Sequence, residues 1–119
     1  MNYAGFLRPL WSWLRAEGLD LTDFLGVPGG VPRRGGTAAV ATMRAFAARM
    51  SWRALTHSWN LLGSHDTPRI RTVVGDAARQ AVAAGLLMTM PGTPMVFAGD
   101  EIGLTGRNGE DSRTPYPWH

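Results

Sequence analysis

The 119 residues carry twelve basic and nine acidic side chains, a formal charge of +3, 45% apolar residues and no cysteine. That apolar share suits one globular unit and excludes a disordered chain, and the lack of cysteine excludes disulfides and thiolate metal sites. Every basic residue is an arginine, scattered among acids except at Arg33-Arg34, so the basic character does not amount to a nucleic-acid surface and no nucleic-acid partner is expected.

Met1 to Phe6 lacks the basic-then-apolar layout of a signal peptide, and no apolar run nears the roughly 20 residues needed to cross a bilayer. The expectation is a soluble chain without a membrane partner; localisation is open, with the cytoplasm favoured.

Asn2 to Gly18 reads as a helix with Phe6, Leu7, Leu10, Trp11 and Leu14 on one face and Gly18 as its stop. Leu19 to Gly36 holds a short apolar cluster, Leu21, Phe24, Leu25 and Val27, and then a Pro- and Gly-rich loop. Thr37 is expected to cap a second helix with a stripe of Val40, Met43, Phe46, Ala47 and Met50. A turn carrying Trp52 and Leu55 leads to a strand over Ser58 to Leu62. That strand empties into Gly63-Ser64-His65-Asp66-Thr67-Pro68-Arg69.

Asp76 is expected to cap a third helix over Ala77 to Met88, apolar nearly all round and therefore expected to pack between layers. Pro91-Gly92-Thr93-Pro94 ends it. Met95-Val96-Phe97-Ala98 reads as a second buried strand, followed by the acidic loop Gly99-Asp100-Glu101 and a polar tail, Gly103 to His119. Helix, strand and acidic loop thus occur twice in alternation, which predicts a parallel α/β fold with its chemistry at the carboxyl ends of the strands. On spacing alone the His65-Asp66 pair stays open between a turn brace and a catalytic group.

Gly92 to Leu104, preceded by a helix and by Gly63-Ser64-His65-Asp66, closely resembles the last two strand-loop units of the α-amylase superfamily, glycoside hydrolase family thirteen. Met1-Asn2-Tyr3 resembles the end of that family's sixth barrel strand. Arg113-Thr114-Pro115-Tyr116-Pro117-Trp118 resembles the tail of α-glucosidase and neopullulanase-like members. The resemblance implies an α/β fold, a partial (β/α)8 TIM barrel covering roughly strands 6 to 8 with their helices, in which residues 1–119 form a C-terminal fragment of the catalytic barrel.

The resemblance further implies a retaining glycoside hydrolase acting on α-glucosidic bonds of α-glucans or malto-oligosaccharides. Asp66 matches the catalytic Asp that stabilises the transition state without attacking. His65 matches a histidine that hydrogen-bonds the same sugar, and Arg113 an arginine at the substrate entrance, although a loop brace is a close rival for Arg113. Asp100 and Glu101 read as structural, Asp111 maps less clearly, Arg69 is expected to brace the Asp66 loop, and Trp118 to cover apolar surface. No cofactor and no metal is implied.

The family's nucleophile and acid/base, two carboxyl groups roughly 5 Å apart, have no counterpart here; Glu17, Asp20 and Asp23 fall in no matching motif. The expected partners are an α-glucan or oligosaccharide substrate and the remainder of the barrel, and the fragment alone is expected to be inactive. A non-catalytic carbohydrate-binding or self-associating remnant, a transglycosylase parent and an unrelated helical module are the alternatives.

Overall fold

The structure, a computed structural model, describes residues 1–19 and 30–118. The apolar cluster expected at Leu21, Phe24, Leu25 and Val27 lies outside the described residues, as do Asp20, Asp23 and His119.

Asn2 is buried and organises the start of the chain. Its backbone N–H donates to the Trp59 carbonyl at 2.7 Å, and its side-chain oxygen accepts from the Gly5 N–H at 3.0 Å, capping a π-helical turn over Tyr3–Leu7. The expected single helix is thus a π turn running into α1 (Arg8–Leu14), where Pro9 suits a first-turn position that needs no N–H donor. The predicted face is the buried one: Phe6, Leu7, Leu10, Trp11 and Leu14 all enter the core. Trp11 is fully buried, and its indole N–H donates to the Leu62 carbonyl at 2.9 Å, which satisfies the one polar atom this large ring brings inside.

Helix α2 (Gly36–Ala47) begins one residue before the expected cap. Gly35 is its N-cap, without a side-chain hydrogen bond, so Thr37 lies inside the first turn. Ala39 and Met43 form its buried line while Val40 faces outward, which rotates the core face from the predicted stripe. A short α3 (Trp52–Thr56), capped by the Ser51 hydroxyl, delivers the chain to β1 (Trp59–Leu61).

Two helices follow β1. α4 (Ile70–Val74) buries Ile70, Val73 and Val74, and ends at Gly75, whose φ of 85° lies in the left-handed region that glycine adopts without steric cost. α5 (Ala77–Thr89) starts with the Asp76 carboxylate accepting from the Arg79 N–H at 2.8 Å, the predicted cap. Only Ala83 and Leu87 of α5 are buried; Val82 and Met88 are exposed, so one side of this apolar helix is uncovered rather than packed between layers.

β2 (Thr93–Met95) pairs in parallel with β1, Trp59 opposite Thr93 and Leu61 opposite Met95. The strand lies earlier than the run predicted at 95–98. Past Met95 the backbone turns, with the Asp100 N–H donating to the Phe97 carbonyl at 2.9 Å, and Val96 is exposed. Asn60 ties the layers together: its oxygen accepts from the Asn2 side chain at 3.0 Å, and its amide donates to the Pro91 carbonyl at 3.0 Å. Among the described residues no helix is long and apolar enough to cross a membrane.

Candidate active site

β1 ends in a tight turn over Ser64 to Thr67, closed by the Thr67 N–H donating to the Ser64 carbonyl at 3.2 Å. Its two central residues are His65 and Asp66, so the turn pushes both side chains outward at the carboxyl end of the strand. Side-chain hydroxyls hold the turn from beneath. The Ser64 hydroxyl accepts from the Asp66 N–H at 3.2 Å and meets the Tyr3 hydroxyl at 3.0 Å, and Thr67 Oγ1 accepts from the Ser64 N–H at 2.9 Å. Ser64 and Thr67 are buried, a rigid floor under a half-exposed pair.

All three residues singled out from the sequence meet here. Asp66 Oδ1 lies 3.3 Å from His65 Nε2 and 3.7 Å from Arg113 Nη2, and Arg113 Nε donates to the His65 carbonyl at 3.1 Å. Arg113 Nη1 donates to Glu110 Oε1 at 3.1 Å. The Asp66 side chain is 28% exposed, against 61% for His65 and 47% for Arg113. A carboxylate at this depth can still be reached by a ligand's hydroxyl groups.

Arg69 braces the loop as expected, and does more. It is buried, with Nη1 donating to the Ala98 carbonyl at 2.9 Å and to Asp100 Oδ1 at 3.0 Å, and Nη2 donating to the Ser112 carbonyl at 2.9 Å. Its guanidinium carbon sits 4.3 Å from the centre of the Phe97 ring. Burial pushes the Asp100 carboxyl up to about 6, against the opposing pull of Arg69. Glu101 is held below its ordinary value chiefly by backbone N–H donors, its own and that of Gly99. These contacts fit the structural reading of both acids.

Asp111 turns to its own loop, accepting from the Arg107 N–H at 2.9 Å. Trp118 does not cover apolar surface: it is 83% exposed and touches the Tyr116 ring, the centroids 4.7 Å apart. The residues that sequence reasoning missed are Ser112, fully buried with its hydroxyl on the Thr67 carbonyl at 3.0 Å, and Gly109. A Cβ on Gly109 would stand 2.8 Å from the His65 carbonyl oxygen and 3.2 Å from the Asp66 Cα, so only glycine fits. Neither lies in a pattern that spacing could have flagged. Among the described residues no cluster of three or more His, Cys, Asp or Glu could hold a metal ion.

A parallel strand pair joined through helices, with a carboxylate on the loop leaving one strand, is the layout of a parallel α/β sheet or barrel, in which active sites gather at the carboxyl ends of the strands. Residues 35–118 match the family model for the alpha amylase catalytic domain, and the chain belongs to that family. It is 45% identical over 62 residues to a cyclomaltodextrinase of Geobacillus thermopakistaniensis, a match that spans 51% of this chain and 10% of the relative. It superposes on the cyclic α-maltosyl-(1→6)-maltose hydrolase of Arthrobacter globiformis in complex with cyclic α-maltosyl-(1→6)-maltose, with a TM-score of 0.76 and 33% identity, over 99% of this chain and 23% of that one. For the debranching enzyme of Nostoc punctiforme the TM-score is 0.83 at 28% identity, over 99% of this chain and 24% of that one. The chain therefore spans about a tenth of the curated relative and about a quarter of the solved structures, and its fold is part of a (β/α)8 barrel.

Proposed function

We propose that residues 1–119 supply roughly strands 6 to 8 of a retaining glycoside hydrolase barrel acting on α-glucosidic bonds of α-glucans or malto-oligosaccharides. In that barrel Asp66 stabilises the transition state. The observation that carries this reading is the Asp66 carboxylate, half-buried at the carboxyl end of β1 with His65 and Arg113 beside it. As the sugar ring flattens and gains positive charge, a fixed carboxylate that accepts hydrogen bonds from its hydroxyl groups binds it more tightly than it binds the ground state. His65 and Arg113 add donors at the same rim, and Arg113 bridges the two loops.

Bond cleavage with retention needs a nucleophile and an acid/base. Asp66 is neither; the two carboxyl groups come from the remaining strands, and the 119-residue chain alone turns nothing over. The test is to graft residues 1–119 into the Arthrobacter hydrolase in place of the quarter on which they superpose, and to assay hydrolysis of cyclic α-maltosyl-(1→6)-maltose. The isolated chain is expected to be inactive and the folded graft active. Turnover by the isolated chain, or a folded graft without turnover, contradicts the proposal.

A further inference from the structure

We propose that Ser112 and Arg69 are positioning residues for Asp66, a buried clamp that locks the turn carrying the carboxylate onto the loop 106–113; this rests on the role given to Asp66 above. The contacts Asp66 makes itself are too loose to set its position. His65 lies at 3.3 Å and Arg113 at 3.7 Å, with side chains 61% and 47% exposed, which makes such pairs weak and easily exchanged for water. A carboxylate that must meet a developing charge loses most of its effect when displaced by about 1 Å. The precision has to come from the backbone on which it stands.

That backbone is pinned from one side by a continuous chain of hydrogen bonds. The carbonyl of Thr67, the residue after Asp66, accepts the Ser112 hydroxyl at 3.0 Å; the Ser112 carbonyl accepts Arg69 Nη2 at 2.9 Å; Arg69 Nη1 is anchored on Asp100 Oδ1 at 3.0 Å. Thr67, Arg69, Asp100 and Ser112 are all buried, so water does not compete for these bonds. The Arg69 N–H also donates to the Gly106 carbonyl at 2.9 Å, closing the near end of the loop. Gly109 of the same loop rests directly on the His65 and Asp66 backbone. The turn is thus held by the Ser112 hydroxyl on the Thr67 carbonyl and by the close packing of Gly109.

The test has two arms. In the 119-residue chain, Ser112→Ala should let the Asp66 and Thr67 amides exchange about tenfold faster while the amides of α5 keep their rates. In the grafted barrel, the same change should lower kcat about tenfold with KM held within about twofold. Gly109→Ala should do likewise by another route, and carries the test if Ser112→Ala does not fold. Leu87→Ala, a core truncation away from the site, should lower the melting temperature and spare kcat.

Unchanged exchange at Asp66 and Thr67 overturns the clamp. So does a kcat within about twofold of the parent for Ser112→Ala and Gly109→Ala in a barrel that Asp66→Asn disables, or an equal fall in kcat for Leu87→Ala. If Asp66→Asn leaves turnover intact, the role of Asp66 has failed and the positioning role falls with it.

Discussion

Arg69 and Asp100 form a buried ion pair, Nη1 to Oδ1 3.0 Å, in which burial outweighs the guanidinium and pushes the carboxyl up to about 6. The two charges are held in contact, yet the acid is easier to protonate than in water.

The pH dependence of stability follows from that shift. The folded chain binds the Asp100 proton more tightly than the unfolded chain, so this group's contribution is full below about 4 and is lost as pH rises through about 6. Its limit is roughly 3 kcal/mol. Asp100→Asn should remove this slope. Urea unfolding of both chains at pH 4.5 and pH 7 checks it: the parent should gain stability relative to the variant at the lower pH, and parallel profiles would refute the account.

Arg69→Met takes away the donors to Ala98, Asp100 and Ser112 and leaves a buried carboxylate alone. The expected cost at pH 7 is about 3–5 kcal/mol. Adding Asp100→Leu should return part of it, because the stranded charge goes with it. A double variant no more stable than Arg69→Met would show that the lost carbonyl contacts, not the ion pair, carry the cost.

The helix starts give a matched comparison. Asp76→Ala removes a side-chain cap and should cost about 1 kcal/mol. Thr37→Ala, inside the first turn of α2 with Gly35 as the cap, should stay within about 0.5 kcal/mol. Thermal unfolding of the two variants decides it, and equal losses would restore Thr37 as a cap.

Arg113→Ala removes only exposed contacts, to Glu110, the His65 carbonyl and Asp66. Stability should change by less than about 1 kcal/mol. In the grafted barrel KM should rise more than kcat falls, the mark of lost ground-state binding. An unchanged KM would leave Arg113 as a loop brace alone.

The sequence made the core face of the first helix legible, because Phe6, Leu7, Leu10, Trp11 and Leu14 recur at helical spacing and all are buried. His65 and Asp66 stood out because an apolar strand ends beside them, and Arg113 through the tail motif. Thr37 misled because a favourable cap residue lies two positions after Gly35, where the chain already has the extended backbone of an N-cap. The second strand slid from 95–98 to Thr93–Met95 because its limits follow the register against β1, which no local run of apolar residues encodes. Ser112 stayed hidden for a related reason: its role depends on meeting Thr67, 45 residues away in the chain.

The most direct measurement is kcat and KM of the grafted barrel with Asp66 and with Asp66→Asn, on cyclic α-maltosyl-(1→6)-maltose. The amide keeps the shape and the acceptor oxygen while removing the charge that opposes the developing oxocarbenium ion. A fall in kcat of about a hundredfold or more with KM within a few-fold is the predicted result. A rise in KM with kcat preserved would make Asp66 a ground-state sugar contact and contradict its transition-state role.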